Sequence, residues 1–420
     1  HTVRGHSVSY DLINWIHLNH ALEPSESYDI NDCYSGLITT LPGEKPVIMY
    51  TGNDTNKHQI QNLAMPKNLS DPCLRDITIA WQGVDGKWGV NIGAKNGDDG
   101  KALLYHSEDF VNWKLHPNHA SDNTGIGSKS GVDTSVQNSS VKHVLEMSYQ
   151  NKQLEYNFLG EYFPDQEKFT PDADDLEGTN LNLLLDHGMF YASKSFFNYA
   201  KNRRILWGWS KECESTQDDY EKGWAGLQSI PRQVWLHKSG KWLMQWPIEE
   251  VEKLRDKQVS IMREKLVGES TIEVSGIPAS QNLLSKNSLI QRYTNPQLQS
   301  EKCSLLNVQN ETKRSLFHRG REPKKFNSLC LMCCDQNRQD LDKTLYGTIF
   351  GIDPNVKTIS LRSLIDRSII ESFGEKGRIC ITSRVYPSLV IDKDAHLYVF
   401  SNGSQSAVIF ELNAWSMKQA

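Results

Sequence analysis

The sequence predicts an all-β chain in two parts, a β-propeller followed by a β-sandwich. Three observations predict it. First, residues 1 to about 250 run as short strand-forming stretches broken by turns every ten residues or so, with almost no helical period. KPVIMYTG (45–52), GKWGVNIGAK (86–95), KALLYHS (101–107), RRILWGWS (203–210) and GKWLMQW (240–246) read as strands, punctuated by the hairpin signals DG, SG and NG. Second, HSVSYDLINWIHL (6–18) is echoed a hundred residues on by HSEDFVNWKLH (106–116). Both carry HS, then Asp, an aliphatic or aromatic pair, and Asn-Trp. An aromatic motif recurring once per four-stranded unit is the mark of propeller blades. Third, TLYGTIFGID (344–353), SLRSLIDRSIIESF (360–373), GRICITSRVYP (377–387) and AHLYVFSNGS (395–404) alternate as the strands of a sandwich do. The one helical pattern is PIEEVEKLRDKQ (247–258). We therefore expect a propeller over 1–255, a linker over 256–275 and a sandwich over 276–420.

A chain of 420 residues exceeds the usual single core, and 38% hydrophobic residues with 11 Trp and 15 Tyr can build two. A net charge of −5 provides no basic field, so a nucleic-acid partner is not expected. Residues 300–328 lack a clear period, and their basic HRGREPKK reads as a solvated loop before a nuclear signal. No apolar stretch approaches the ~20 residues of a membrane span. Neither an initiator Met nor a signal peptide precedes His1, so any targeting segment is removed or unrecorded. Sequons at Asn53, Asn68, Asn138, Asn310 and Asn402 favour a secreted glycoprotein.

Most catalytic signatures are missing. The eight cysteines form no zinc-type pair of CxxC motifs, and the CxxC inside CLMCC (330–334) has no partner set. TGIGSKSG (124–131) lacks the GK[ST] ending of a phosphate loop, and there is no GxSxG elbow and no HExxH. We expect neither metal nor cofactor. Carboxylates remain. In LRDITIAW (74–81), Arg75 would keep Asp76 ionised as an acceptor for sugar hydroxyls. Taken alone, the dipeptide reads as a surface ion pair.

Context comes from further motifs. GHSVSYDLINW, DINDCYSG (29–36), QNLAMPKNLSDP (61–72), RDITIAW, MFYASKSFF (189–197), NRRILWGWS (202–210), KGWAGLQSIPRQVWL (222–236) and SLRSLIDRSIIESFG occur in one order. In these the chain resembles the plant acid invertases, β-fructofuranosidases of glycoside hydrolase family 32, and most closely the cell-wall type. The resemblance implies a five-bladed propeller carrying the active site, then a β-sandwich. It also implies cleavage of terminal β-fructofuranosides such as sucrose with retention, through three acidic motifs. The nucleophile Asp lies in NDPNG, a transition-state-stabilising Asp in RDP, and the acid/base Glu in an EC dipeptide.

Only RDP carries over, as Arg75 and Asp76, with Ile77 where Pro is usual. The sequence begins downstream of NDPNG. Asn123-Thr124-Gly125 runs almost directly into Asp133-Thr134-Ser135 with no Glu between, where the family has its EC strand, and the stretch before Arg75 is shortened too. For substrate binding the resemblance implies Tyr34, in place of the family's Trp, with Ser35 and Gly36. It also implies Gln150 and Gln153, which follow a KHVLK-type strand where sucrose-preferring members have Asp and Lys. That loss of charge resembles fructan exohydrolases. A sandwich disulfide between Cys303 and Cys333 is implied as well. The expectation is a secreted, apoplastic, monomeric relative of invertase, truncated and catalytically defective, whose partner is sucrose or a fructan. The alternatives are a sucrose- or fructan-binding pseudoenzyme and a fragment of a fructan exohydrolase.

Overall fold

The computed structural model describes residues 2–66, 80–83, 85–96, 99–116, 127–128, 142–149, 153–163, 165–166, 168–172, 183–268, 270–277, 281–289, 307–311, 326–332, 345–351, 359–386, 396–400 and 407–418. Strands dominate. Among the described residues the first eighteen form five sheets, each built from strands adjacent in sequence, as propeller blades are. The first sheet pairs β1 (Arg4–Val8) with β2 (Ile16–Leu22). The second orders β3 (Asp32–Leu41), β4 (Lys45–Asn53) and β5 (Gln59–Ala64). The third holds β6 (Trp81–Gln82), β7 (Trp88–Asn96), β8 (Asp99–Ser107) and β9 (Lys114–Leu115). The fourth holds β10 (Gly127–Ser128), β11 (His143–Tyr149), β12 (Leu154–Phe163) and β13 (Lys168–Pro171). The fifth contains β14 (Tyr191–Asn198), β15 (Arg203–Ser210), β16 (Leu227–Gln228), β17 (Arg232–Leu236) and β18 (Leu243–Pro247).

The echoed motif folds twice into one turn. Asp11 Oδ1 accepts from the amides of Ile13 and Asn14, and Asn14 Nδ2 donates to Asp11 Oδ2 at 2.8 Å. Asp109 does the same with Val111 and Asn112, the last bond being 2.7 Å. The hydroxyl donors are Ser9 and Ser107, so the true repeat is S-x-D-Φ-Φ-N-W, out of step with the HS pairs. Leu12 and Phe110 hold matching left-handed φ of 63° and 64°. The Asp side chain takes the amides that such a turn leaves without partners. Backbone hydrogen bonds from Asn14 and Ile13 hold the Asp11 carboxyl down at about 2.

The remaining strands are β19 (Arg255–Leu266), β20 (Thr271–Glu273), β21 (Gln281–Leu289), β22 (Asn307–Glu311), β23 (Phe326–Met332) and β24 (Leu345–Gly351). They continue with β25 (Ile359–Asp366), β26 (Ile369–Gly374), β27 (Ile379–Arg384), β28 (Tyr398–Phe400) and β29 (Ala407–Met417). A six-stranded sheet orders β19-β29-β21-β25-β26-β27, while β22-β23-β24 and β20-β28 form smaller sheets. Ile365, Ile370, Ile381, Leu412 and Ala414 turn one face of the large sheet toward Ile272, Tyr346 and Val399 of the smaller ones. Leu364, Phe373, Cys380 and Trp415 turn the other face onto Ile205, Trp207, Trp246 and Ile248 of the fifth sheet and its exit. The large sheet is thus a middle layer, and β26 and β27 are buried at every residue.

Two expectations need correction. Residues 256–275 are no linker: β19 pairs with β29 along its length, and β20 pairs with β28. The helical pattern at 247–258 shrinks to a 3-10 turn, Glu249–Leu254, before β19 starts at Arg255. The exposed, charged face of RDKQVSIMREKL hides its period of two, because one side of β19 meets solvent. A short helix α1, Thr216–Lys222, also appears. Its capping box between Ser215 and Asp218 and its left-handed Gly223 were legible in STQD and KG.

An ionic cluster locks the layers together. Arg232, on β17 and fully buried, donates to Asp186 (2.9 Å) and Gln245 (3.1 Å) on the propeller side. Across the junction it donates to Glu371 (2.6 Å) and Thr382 (2.7 Å) of the middle sheet. Its guanidinium lies 4.2 Å from the Phe190 ring centroid. Asp186 also accepts from the Thr382 amide and hydroxyl at 2.9 and 2.8 Å. Burial works against the Arg232 charge, but Glu371 and Asp186 outweigh it and hold the guanidinium firmly charged. Burial dominates at Glu371, whose carboxyl sits above its ordinary range.

Candidate substrate-recognition site

The opening of β3 carries the described part of the predicted site. Asp32 Oδ2 accepts from the Tyr34 hydroxyl at 3.0 Å and from Asn53 Nδ2 at 3.0 Å, while Oδ1 takes the Thr2 amide at 2.7 Å. Burial pushes the Asp32 carboxyl up, yet the bonds from Asn53, Thr2 and Tyr34 prevail and hold it at about 2. Burial, then the bond to Asp32, raises the Tyr34 phenol, which therefore stays protonated. A second Asp–Tyr pair lies beneath: Tyr50 donates to Asp29 at 2.6 Å, and Asp29 also accepts the amides of Ser25 and Glu26. Between Cys33 and Gly36 the register of β3 against β4 shifts. A Cβ at Gly36 would lie 2.1 Å from the Met49 carbonyl, so only glycine lets the strands close there. Ser35 sits in that irregular step. The result is a half-buried tyrosine whose ring is fixed by its hydroxyl.

Arg75 and Asp76 lie outside the described residues, which resume at Ala80. Ala80 is fully buried and its amide donates to Thr39 Oγ1 of β3 at 3.4 Å. β11 and β12 pair from His143–Gly160 to Tyr149–Leu154, so Gln153 directly precedes β12. Gln153 has a left-handed φ of 51°, and Gln150 lies outside the described residues. Cys303 and Cys333 lie outside them too, as do Asn68, Asn138 and Asn402. Cys33 and Cys380 are free, buried thiols, and Cys213 is buried as well. Asn310 lies within β22. A glycan on Asn53 would take the same amide nitrogen that donates to Asp32.

The fold brings together two further carboxyl clusters. Glu212, Glu214 and Asp219 bring carboxylate oxygens within 4.8 Å of one another. The Lys222 ammonium meets all three at 2.9, 2.6 and 2.9 Å, and Tyr386 of the sandwich segment donates to Glu212 at 2.6 Å. Burial pushes the Glu212 carboxyl up, but Arg384, Tyr386 and Lys222 hold it at about 2. The cluster is a structural ion network that its own lysine completes. The second joins Glu146 of β11 and Glu155 of β12, both buried between the fourth and fifth sheets. Ser193 of β14 serves both, its hydroxyl to Glu146 and its amide to Glu155 at 3.1 Å. Both sit in alternating strands, at positions where a carboxylate would ordinarily face water.

Comparison with known proteins agrees with this architecture. Residues 1–247 match the glycosyl hydrolases family 32 N-terminal domain, and residues 321–416 match the family's C-terminal domain. A fructan 6-exohydrolase of Beta vulgaris is 42% identical over 487 aligned residues, covering 100% of this chain and 80% of that protein. The insoluble β-fructofuranosidase isoenzyme CWINV1 of Arabidopsis thaliana is 42% identical over 494, covering 100% and 84%. The crystal structure of fructan 1-exohydrolase IIa from Cichorium intybus superposes with a TM-score of 0.84 at 38% identity, over 99% of this chain and 89% of that one. With both domain signatures in order, a propeller joined to a sandwich and this identity along its length, the chain belongs to glycoside hydrolase family 32, among the β-fructofuranosidases and fructan hydrolases.

Proposed function

We propose that this chain is a secreted, cell-wall-type member of the family that recognises a β-fructosyl carbohydrate, sucrose or a fructan, without appreciable turnover. One observation carries the reading. Where the family places its acid/base glutamate, the run from Asn123 to Ser135, NTGIGSKSGVDTS, contains no Glu. Retaining hydrolysis needs an acid to protonate the leaving oxygen opposite the nucleophile. These groups act as a unit, so removing one forfeits most of the acceleration. In support, the 420 residues spread over 487 aligned positions of the Beta vulgaris enzyme, so that relative has residues where this chain has none.

Recognition rests on Arg75 and Asp76 for fructosyl hydroxyls, and on Tyr34, Ser35 and Gly36 for the sugar face. Ala80, four residues after Asp76 in sequence, donates its amide to Thr39 of β3. Gln150 and Gln153 offer amides and no charge, which favours a fructan over sucrose. The names of similar proteins as insoluble or cell-wall isoenzymes support an apoplastic location, as do the sequons. Incubation with sucrose, 1-kestose and inulin tests the reading. We expect no hydrolysis above a heat-inactivated control, and binding to one of these sugars that Asp76→Ala abolishes. Hydrolysis by the intact chain that Asp76→Ala removes would overturn it.

A further inference from the structure

We propose that Glu146 and Glu155 form a proton-holding joint between the fourth and fifth sheets, tight in acid and loosened as the medium approaches and passes neutrality. The geometry comes first. Glu155 is wholly buried and Glu146 is 5% exposed, on paired strands, so neither carboxyl is open to solvent. Hydrogen bonds from Ser193 of β14 end on both carboxyls. Glu155 Oε1 accepts from Ser148 Oγ within its own sheet at 2.8 Å and from the Ser193 amide of β14 at 3.1 Å. Glu146 accepts the Ser193 hydroxyl. Beside them Leu185 N donates to the Glu155 carbonyl at 2.8 Å, and Asn157 Nδ2 to the Leu183 carbonyl at 3.1 Å.

Among the described residues, Glu155 Oε2 is buried with no hydrogen-bond partner. An ionised carboxylate oxygen in that position is costly, whereas a protonated one bears no charge. Two carboxylates sharing one dry site cannot both ionise cheaply. The surrounding charges do not cancel this. Lys194 and Arg204 attract Glu146 electrostatically, Lys194 does so at Glu155, and the Tyr191 phenol faces Glu155 from β14. Burial still dominates at both acids and drives them toward the protonated form, with Glu146 adding to the effect at Glu155.

Both carboxyls are raised above their unfolded value of 4.5, so the folded chain holds more protons. Their contribution is fully present below that value and is lost as pH rises through the folded value, which for Glu155 is about 8. Thermal unfolding of the whole chain from about pH 5 to about pH 8 tests this. The wild type should lose stability across the interval, by up to about tenfold in the folded-to-unfolded ratio per pH unit per group. Glu146→Gln should flatten the profile in part, and Glu146→Gln with Glu155→Gln should flatten it further. Parallel profiles in wild type and double variant would overturn the proposal. If the double variant does not fold, wild-type hydrogen exchange decides. β11, β12 and β14 should lose protection with rising pH relative to β25–β27, and an unchanged ratio would equally overturn the joint.

Discussion

Replacing Arg232 by alanine should destabilise the molecule more than almost any other single truncation. The side chain is 0% exposed and bridges Asp186 on the propeller side to Glu371 in the middle sheet. Alanine removes bonds to Asp186, Glu371, Gln245 and Thr382, and leaves two carboxylates in a site that also holds Phe190 and Phe373. Removing one partner of a buried ion pair costs about 3–5 kcal/mol, chiefly through the stranded charge. Arg232→Met, which restores volume without charge, should recover little. The cost should also depend on pH. Without Arg232, burial at Glu371 is opposed chiefly by the Ile230 amide, and its folded value rises further above the unfolded one. A raised carboxyl contributes stability at low pH that is lost as pH rises, so the deficit should be smaller near pH 5 than near pH 8. Urea unfolding followed by tryptophan fluorescence reads both effects, since Trp246 packs 5.9 Å from Phe373 at this junction. A deficit below about 1 kcal/mol at neutral pH would refute the reasoning. So would a Met variant as stable as wild type.

Other outcomes follow from the same contacts. Gly377→Ala places a Cβ 1.8 Å from the Gln245 carbonyl at a φ of +96°, and should cost about 1–3 kcal/mol by thermal unfolding; no change would mean the sandwich does not abut β18 there. The Asp11 carboxyl should titrate near 2 in an NMR pH series, against an ordinary 3.8. Its hold on the turn is therefore present above 3.8 and lost as pH falls through 2, and an ordinary titration would show the turn open. Tyr34→Phe removes the hydroxyl that Asp32 accepts, so the Asp32 carboxyl should titrate above its present value of about 2.

What the sequence determined by itself is what depends on neighbours along the chain. Strand runs such as RRILWGWS and the hairpin within SLRSLIDRSIIESFG occur where their period and turn residues put them. The repeated S-x-D-Φ-Φ-N-W turn is closed by hydrogen bonds within four residues. The family motifs, too, are local strings. The tertiary structure alone decided what depends on distant partners. β19 reads as charged linker until β29, far along the chain, supplies its ladder. Glu371, Thr382 and Arg384 lie on the same face of their strands as Phe373 and Cys380, the face turned toward the propeller. They are buried because the propeller covers that face and offers Arg232, Asp186 and Glu212 as partners. Glu146 and Glu155 follow the same rule, since each becomes a buried acid only when β14 closes over the hairpin that carries it. A polar residue in a strand announces its phase but not what will stand opposite, and burial of charge is settled by the opposing surface.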